Sequence, residues 1–240
     1  MRTVIITIWV VVTTILGSLS ALAQPVLRQR SEWSHRVGKL WAKGILFVSG
    51  VKVQTEGVHH VRHGQGFVFM ANHQSMFDIL VLFAYLPVQF RWLAKKELFH
   101  VPLFGQALTR AGHIRIDRSD RKSAHRSLLD AAHRIAAGVS VIIFPEGSRS
   151  RDDRLQPFKP GGFHLALRAK RPIVPVAIYG TRQILPKGSI RVKPGNVVVS
   201  ISRPVATDTY GKRDKNLLME EIRRIMQNDL ARIKAKWTHL

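Results

Sequence analysis

Five apolar residues in a row, Phe67-Val68-Phe69-Met70-Ala71, run straight into Asn72-His73-Gln74-Ser75-Met76-Phe77-Asp78. No other stretch constrains the chain as much. A short apolar run ending in small and polar residues reads as a buried strand that delivers a loop, and the apolar segment 79–86 reads as the helix that follows. His73 then falls at a strand-to-helix turn. Ser75 is placed to cap the helix, its hydroxyl accepting from the unpaired amides of the first turn. Asp78 lies within that turn, where its carboxylate can bend back to the imidazole. The same alternation continues, with strands expected at 51–56, 90–94, 114–116, 139–144 and 173–178 and helices at 123–137 and 163–169. Alternating strands and helices imply an α/β fold. Residues 190–192 and 197–201, joined through Pro194-Gly195, read as a β-hairpin closing the sheet. After Pro204 an amphipathic helix follows, with Leu218, Ile222, Ile225, Met226, Leu230, Ile233 and Trp237 on one face.

A neutral imidazole, with an ordinary pKa of about 6.5, can take a proton at neutral pH, and a carboxylate on its other nitrogen fixes the tautomer. His73 and Asp78 together form a candidate general base for an alcohol. The spacing alone is a weak signal, because His125 and Asp130 share it inside a helical stretch, where residues five apart diverge by about 140°. It carries meaning only where a turn intervenes. Taken alone, His73 fits a structural hydrogen bond as well as catalysis. His59, His60 and His63 cluster in a turn without an acidic or cysteine partner and read as an exposed basic loop rather than a metal site.

A second loop, Phe144-Pro145-Glu146-Gly147-Ser148-Arg149-Ser150, follows the apolar run 139–144. A strand ending in Gly147 exposes backbone amides, and Arg149 offers a planar fork that matches a phosphate bidentately, so the loop reads as an anion site. Glu146 could orient Arg149 or hydrogen-bond the substrate. At this point the sequence resembles the 1-acyl-glycerol-3-phosphate acyltransferase family, whose four motifs occur here in order. His73 and Asp78 match its NHxxxxD motif, and Glu146-Gly147-Ser148-Arg149-Ser150 its EGTRS motif, with Ser148 in place of Thr. Lys95, Leu98, Pro102, Gly105, Gly112 and Ile116-Asp117-Arg118 match the second motif, and Ile173-Val174-Pro175-Val176-Ala177-Ile178 the fourth. The likeness covers about residues 50–204. Arg115 stands at a position that is usually apolar, which raises the question of how that strand packs.

The resemblance implies a mixed sheet flanked by helices, with membrane-associated helices at the amino terminus. It implies His73 as the base and Asp78 as its orienting partner, with Lys95, Arg118, Glu146, Gly147, Ser148 and Arg149 as substrate contacts. For Asp117 a structural role is the preferred reading. The implied reaction moves a fatty acyl group from acyl-CoA or acyl carrier protein to the sn-2 hydroxyl of lysophosphatidic acid, giving phosphatidic acid for phospholipid synthesis. No metal or bound cofactor is implied. Alternatives are another lysolipid or amino-acid lipid as acceptor, and a hydrolase that directs the same pair at water. The absence of cysteine, and of a Gly-x-Ser-x-Gly elbow, fits transfer without a covalent acyl-enzyme.

Charge enters with the partners. With 38 Lys plus Arg against 15 Asp plus Glu, the net charge is +23, which calls for an anionic partner. The basic residues are spread along the whole chain without a nucleic-acid-binding motif, so an anionic membrane surface is expected and nucleic acid is not. Residues 3–27 carry no charge and are long enough to cross a bilayer, which takes about 20 apolar residues, while their Thr and Ser residues also suit a helix lying in one leaflet. Ala21-Leu22-Ala23 before Gln24 would suit signal cleavage. However, Arg28, Arg30, Arg36, Lys39 and Lys43 all follow the run, and by the positive-inside rule they keep the rest of the chain on the cytoplasmic face of the inner membrane. Trp33, Val37, Leu40, Trp41 and Ile45 recur at helical spacing among these cations and suit either the bilayer interface or a helix packed on the domain, and the resemblance favours the membrane. The expected organisation is therefore a membrane anchor plus interfacial helix over residues 1–48 and a catalytic domain over 49–240.

Overall fold

The computed structural model describes residues 2–23, 30–62, 64–117, 121–211 and 213–237. Its centre is a seven-stranded sheet of β1 (Val51–Glu56), β2 (Val68–Ala71), β3 (Arg91–Lys95), β4 (Ile114–Ile116), β5 (Val141–Ile143), β6 (Ile173–Tyr179) and β7 (Gly195–Ile201), in the order β1-β7-β6-β2-β5-β3-β4. Neighbours run parallel except β6 and β7, which are antiparallel, so the sheet is mixed. The helices are α1 (Arg2–Ala23), α2 (Arg30–Val48), α3 (Phe77–Tyr85), α4 (Phe104–Arg110), α5 (Arg121–Ala136), α6 (Gly161–Ala169), the short α7 (Thr181–Ile184) and α8 (Lys215–Trp237).

Every residue of β2 is buried, as expected for a central strand covered on both faces. Successive side chains point to opposite sides of a strand. Phe67, Phe69 and Ala71 pack with Val174, Val176 and Ile178 of β6 against α2 and α3. Val68 and Met70 enter the opposite layer, under α5, α6 and α8. Alternation also places Arg115, which stands exposed between the buried Ile114 and Ile116 and leaves the packing of β4 undisturbed.

The expected hairpin does not form. β7 lies between β1 and β6, parallel to the first and antiparallel to the second, while residues 190–194 form no strand. Gly195–Ile201 is buried along most of its length and needs a partner on each edge, whereas the stretch before it holds exposed Ile190, Arg191, Lys193 and Pro194, the last with no amide to donate.

α1 and α2 pack on each other and on the domain. Trp41 Nε1 donates to Thr14 Oγ1 at 3.1 Å and Trp33 Nε1 to Ser20 Oγ at 3.2 Å. Ala42, Ile45 and Leu46 of α2 are buried in the same cluster as the sheet. Gly38 lets α2 approach α3, since a Cβ there would lie 2.6 Å from the Phe83 ring. Among the described residues α1 is the one helix long and apolar enough to cross a membrane. It exposes Val4, Ile5, Ile8, Val12 and Leu16.

Candidate active site

The loop between β2 and α3 is built around one carboxylate. Asp78 is fully buried, and its Oδ2 accepts from the amides of Gln74 at 2.7 Å and Ser75 at 2.8 Å and from His73 Nδ1 at 2.8 Å. The Thr181 hydroxyl, from the start of α7, donates to Oδ1. Asp78 therefore shapes the turn as well as facing the imidazole. Because the Nδ1–H group donates to Asp78, Nε2 is left as the acceptor, a tautomer assigned from the hydrogen bond. Met76, not Ser75, is the N-cap of α3; Ser75, one residue earlier, accepts from the Phe77 amide at 3.2 Å and donates to the Leu185 carbonyl at 2.8 Å. Asn72 fixes the end of β2 by exchanging two hydrogen bonds with the Ile178 backbone of β6.

The His73 backbone is gripped by the loop after β5. Its amide donates to Glu146 Oε1 at 2.7 Å, and its carbonyl accepts from the Ser150 amide at 2.8 Å. The imidazole stacks on Phe144 at 3.9 Å between ring centres, and Phe144 in turn stacks on Trp92. Glu146 is 4% exposed. Its second oxygen accepts from the Gln156 amide at 2.9 Å. Burial pushes its carboxyl up to about 7, against the pull of the Gln156 and His73 amides. Each of its oxygens thus accepts from a backbone amide, which makes the acid a strut between two loops.

Beside His73 opens a cavity of about 790 Å³. Gly17 and Ala21 of α1, Val37 and Trp41 of α2, Leu108 and Leu128 line it. The lining is mostly apolar, and His73, Lys95, Gly147 and Lys159 are part of it. Gly147 has φ +74°, a left-handed conformation that favours glycine, and it lies against the end of the Lys159 side chain.

The chain matches the family model described as "Acyltransferase" over residues 52–179. The chain belongs to the acyltransferase family. Relatives include the 1-acyl-sn-glycerol-3-phosphate acyltransferase of Limnanthes douglasii, 37% identical over 192 residues that cover 79% of this chain and 66% of that one. The chain thus spans just under two thirds of that relative's own length. The alpha form from Homo sapiens is 33% identical over 211 residues, covering 87% of this chain and 75% of its own. Among solved structures, the crystal structure of the 1-acyl-sn-glycerophosphate acyltransferase PlsC from Thermotoga maritima superposes with a TM-score of 0.84 at 23% identity, covering 99% of each chain. That likeness concerns the fold.

Of the residues expected at the site, His73 and Asp78 are hydrogen-bonded to each other, and His73, Lys95 and Gly147 all line the cavity. Arg149 and Ser148 sit on the same loop but not on the cavity wall. Arg149 is half-buried and its carbonyl accepts from Lys187 Nζ at 2.8 Å. Lys96 pairs with Asp117 at 2.9 Å, which gives Asp117 a structural bond. Arg118 and His63 lie outside the described residues. His60 is held by the Ile201 carbonyl at 2.8 Å, so the basic turn is not wholly exposed. Among the described residues no group of three or more His, Asp or Glu side chains could hold a metal ion.

Sequence reasoning missed Lys159 and Thr181. For Lys159 the signal was present, a lone cation inside the turn Phe158-Lys159-Pro160-Gly161-Gly162. Thr181 reaches Asp78 across 103 positions of sequence, and no local pattern announces such a contact.

Proposed function

We propose that the protein transfers a fatty acyl group from acyl-CoA or acyl carrier protein to the sn-2 hydroxyl of lysophosphatidic acid, producing phosphatidic acid. The observation that carries this reading is a histidine oriented by a buried aspartate in the wall of a mostly apolar cavity that two lysines also line. The names of the curated relatives support the choice of acceptor.

In this reading His73 Nε2 takes the proton of the acceptor hydroxyl as its oxygen attacks the thioester carbonyl. Asp78 stabilises the resulting imidazolium. The ester C–O bond forms, the C–S bond breaks, and the departing thiolate takes the proton back from His73. Lys95 and Lys159 hold the phosphate, with Arg149 as a further cation on the adjoining loop, and the acyl chain fills the cavity under α1 and α2. Arg118 is proposed as an additional anion contact. Holding both substrates in one geometry raises their effective concentration, and a general base adds about 10² to 10⁴ in rate. The route calls for no metal or cofactor. The seat is a membrane, on the cytoplasmic face, where the cationic surface meets anionic lipid rather than nucleic acid, and α1 stays attached because it closes the cavity.

Purified protein supplied with a long-chain acyl thioester and radiolabelled lysophosphatidic acid in vesicles should form labelled phosphatidic acid. Transfer only to a different lysolipid or an amino-acid lipid would replace the acceptor, and thioester hydrolysis without transfer would replace the reaction class.

A further inference from the structure

Between α7 and β7 the chain runs through Leu185-Pro186-Lys187-Gly188-Ser189-Ile190-Arg191-Val192-Lys193-Pro194, a segment with three cations and no carboxylate. Residues 186–191 stand in solvent, and Ile190 is 87% exposed. A single exposed isoleucine needs no explanation on its own. Its position is what gives it meaning.

One root of the segment is tied to the active site. Ser75 Oγ donates to the Leu185 carbonyl and Lys187 Nζ to the Arg149 carbonyl, both at 2.8 Å. The other root is tied to the helical pair. The Gly195 amide donates to the Gly50 carbonyl at 3.3 Å, Pro194 and Arg2 both close on Gly50, and Arg2 Nη2 donates to the Ser49 carbonyl at 2.8 Å. That turn directly follows Phe47, which is 85% exposed in the last turn of α2, and it abuts the end of α1 that exposes Val4 and Ile5. The segment therefore continues the exposed apolar face of α1 and α2 up to the rim of the catalytic loops.

We propose that residues 186–194 form a second contact with an anionic bilayer, in which Ile190 enters the headgroup layer while Arg191 and Lys193 bind lipid phosphates. The inference rests on the bilayer reading given above. Charge complementarity and continuity with the α1–α2 face carry it: an apolar tip among cations suits an interface where the side chain is dry and its neighbours meet phosphate. The contact would set the height of the active-site rim above the lipid, because Lys187 joins the segment to the backbone of the Arg149 loop.

The chain has no cysteine, so Ile190→Cys provides a single site for an environment-sensitive fluorophore in the full protein. Leu40→Cys, 73% exposed on α2, reports the bilayer contact of the helical pair, and Asn216→Cys on α8, across the sheet, is the control. On vesicles of phosphatidylglycerol and phosphatidylcholine doped with nitroxide lipid, the labels at 190 and 40 should shift to the blue and be quenched, and the label at 216 should not. If 40 responds and 190 behaves like 216, the proposal is overturned while the bilayer reading stands. If neither responds, both fall. The double variant Arg191→Gln/Lys193→Gln should weaken binding to these vesicles by at least about fivefold. Its transfer activity in detergent should stay within about twofold. Unchanged vesicle binding would contradict the role given to the two cations.

Discussion

Asp78 bears hydrogen bonds from two amides, a hydroxyl and the imidazole, so its charge is used twice: once to close the turn and once to orient His73. Asp78→Asn keeps the shape but not the charge, and should lower kcat by about 10³- to 10⁴-fold with little change in KM. A folded variant by circular dichroism with near-normal kcat would remove Asp78 from the mechanism. Glu146 makes a prediction about stability instead. Its carboxyl titrates near 7 in the folded protein and near its ordinary value of 4.5 when unfolded, so the folded state binds more protons between those values. Its contribution is fully present below about pH 4.5 and is lost as pH rises through about 7. Glu146→Gln should abolish that slope in denaturant titrations at pH 5 and pH 8, while leaving one of the His73 and Gln156 amides without an acceptor. The motif residues were legible because their chemistry is local: an imidazole and a carboxylate on either side of a turn. The strut role of Glu146 was not, because it depends on backbone amides 73 and 10 positions away.

Elements show the same division between local and remote information. β2 and β6 read correctly because unbroken apolar runs suit strands covered on both faces. The misplaced hairpin arose because Pro194-Gly195 marks a turn without saying which strand returns, and the pairing of β7 with β1 joins residues 144 positions apart. α2 read as amphipathic and interfacial from its Trp and Arg residues, yet its Ala42, Ile45 and Leu46 are part of the main core. The close approach of α2 to α3 at Gly38 can be tested. Gly38→Val has to displace the Phe83 ring and should cost about 1–3 kcal/mol of stability, with transfer activity falling because the same contact lines the cavity. Unchanged melting temperature and activity would show that α2 is not seated this way in solution.

At the scale of the whole molecule, charge and apolar surface point to one environment. The net charge of +23 should make binding to anionic vesicles fall steeply between 50 mM and 500 mM salt, since exposed charges are screened beyond a Debye length of about 10 Å at 0.1 M. Salt-insensitive binding would assign the attachment to α1 alone. Because α1 supplies Gly17 and Ala21 to the cavity wall, removing residues 2–23 should cost long-chain transfer even in detergent, where no anchor is required. A truncated protein fully active on long-chain thioesters would confine α1 to anchoring.

Whether His73 acts as the base is tested by comparing acyl transfer by wild type and His73→Ala under single-turnover conditions with a long-chain acyl thioester and lysophosphatidic acid. The variant should lose at least about a hundredfold in the chemical step, with thioester binding retained. Equal rates in the two proteins would contradict the base role, leaving the His73–Asp78 pair a structural clasp of the β2–α3 turn.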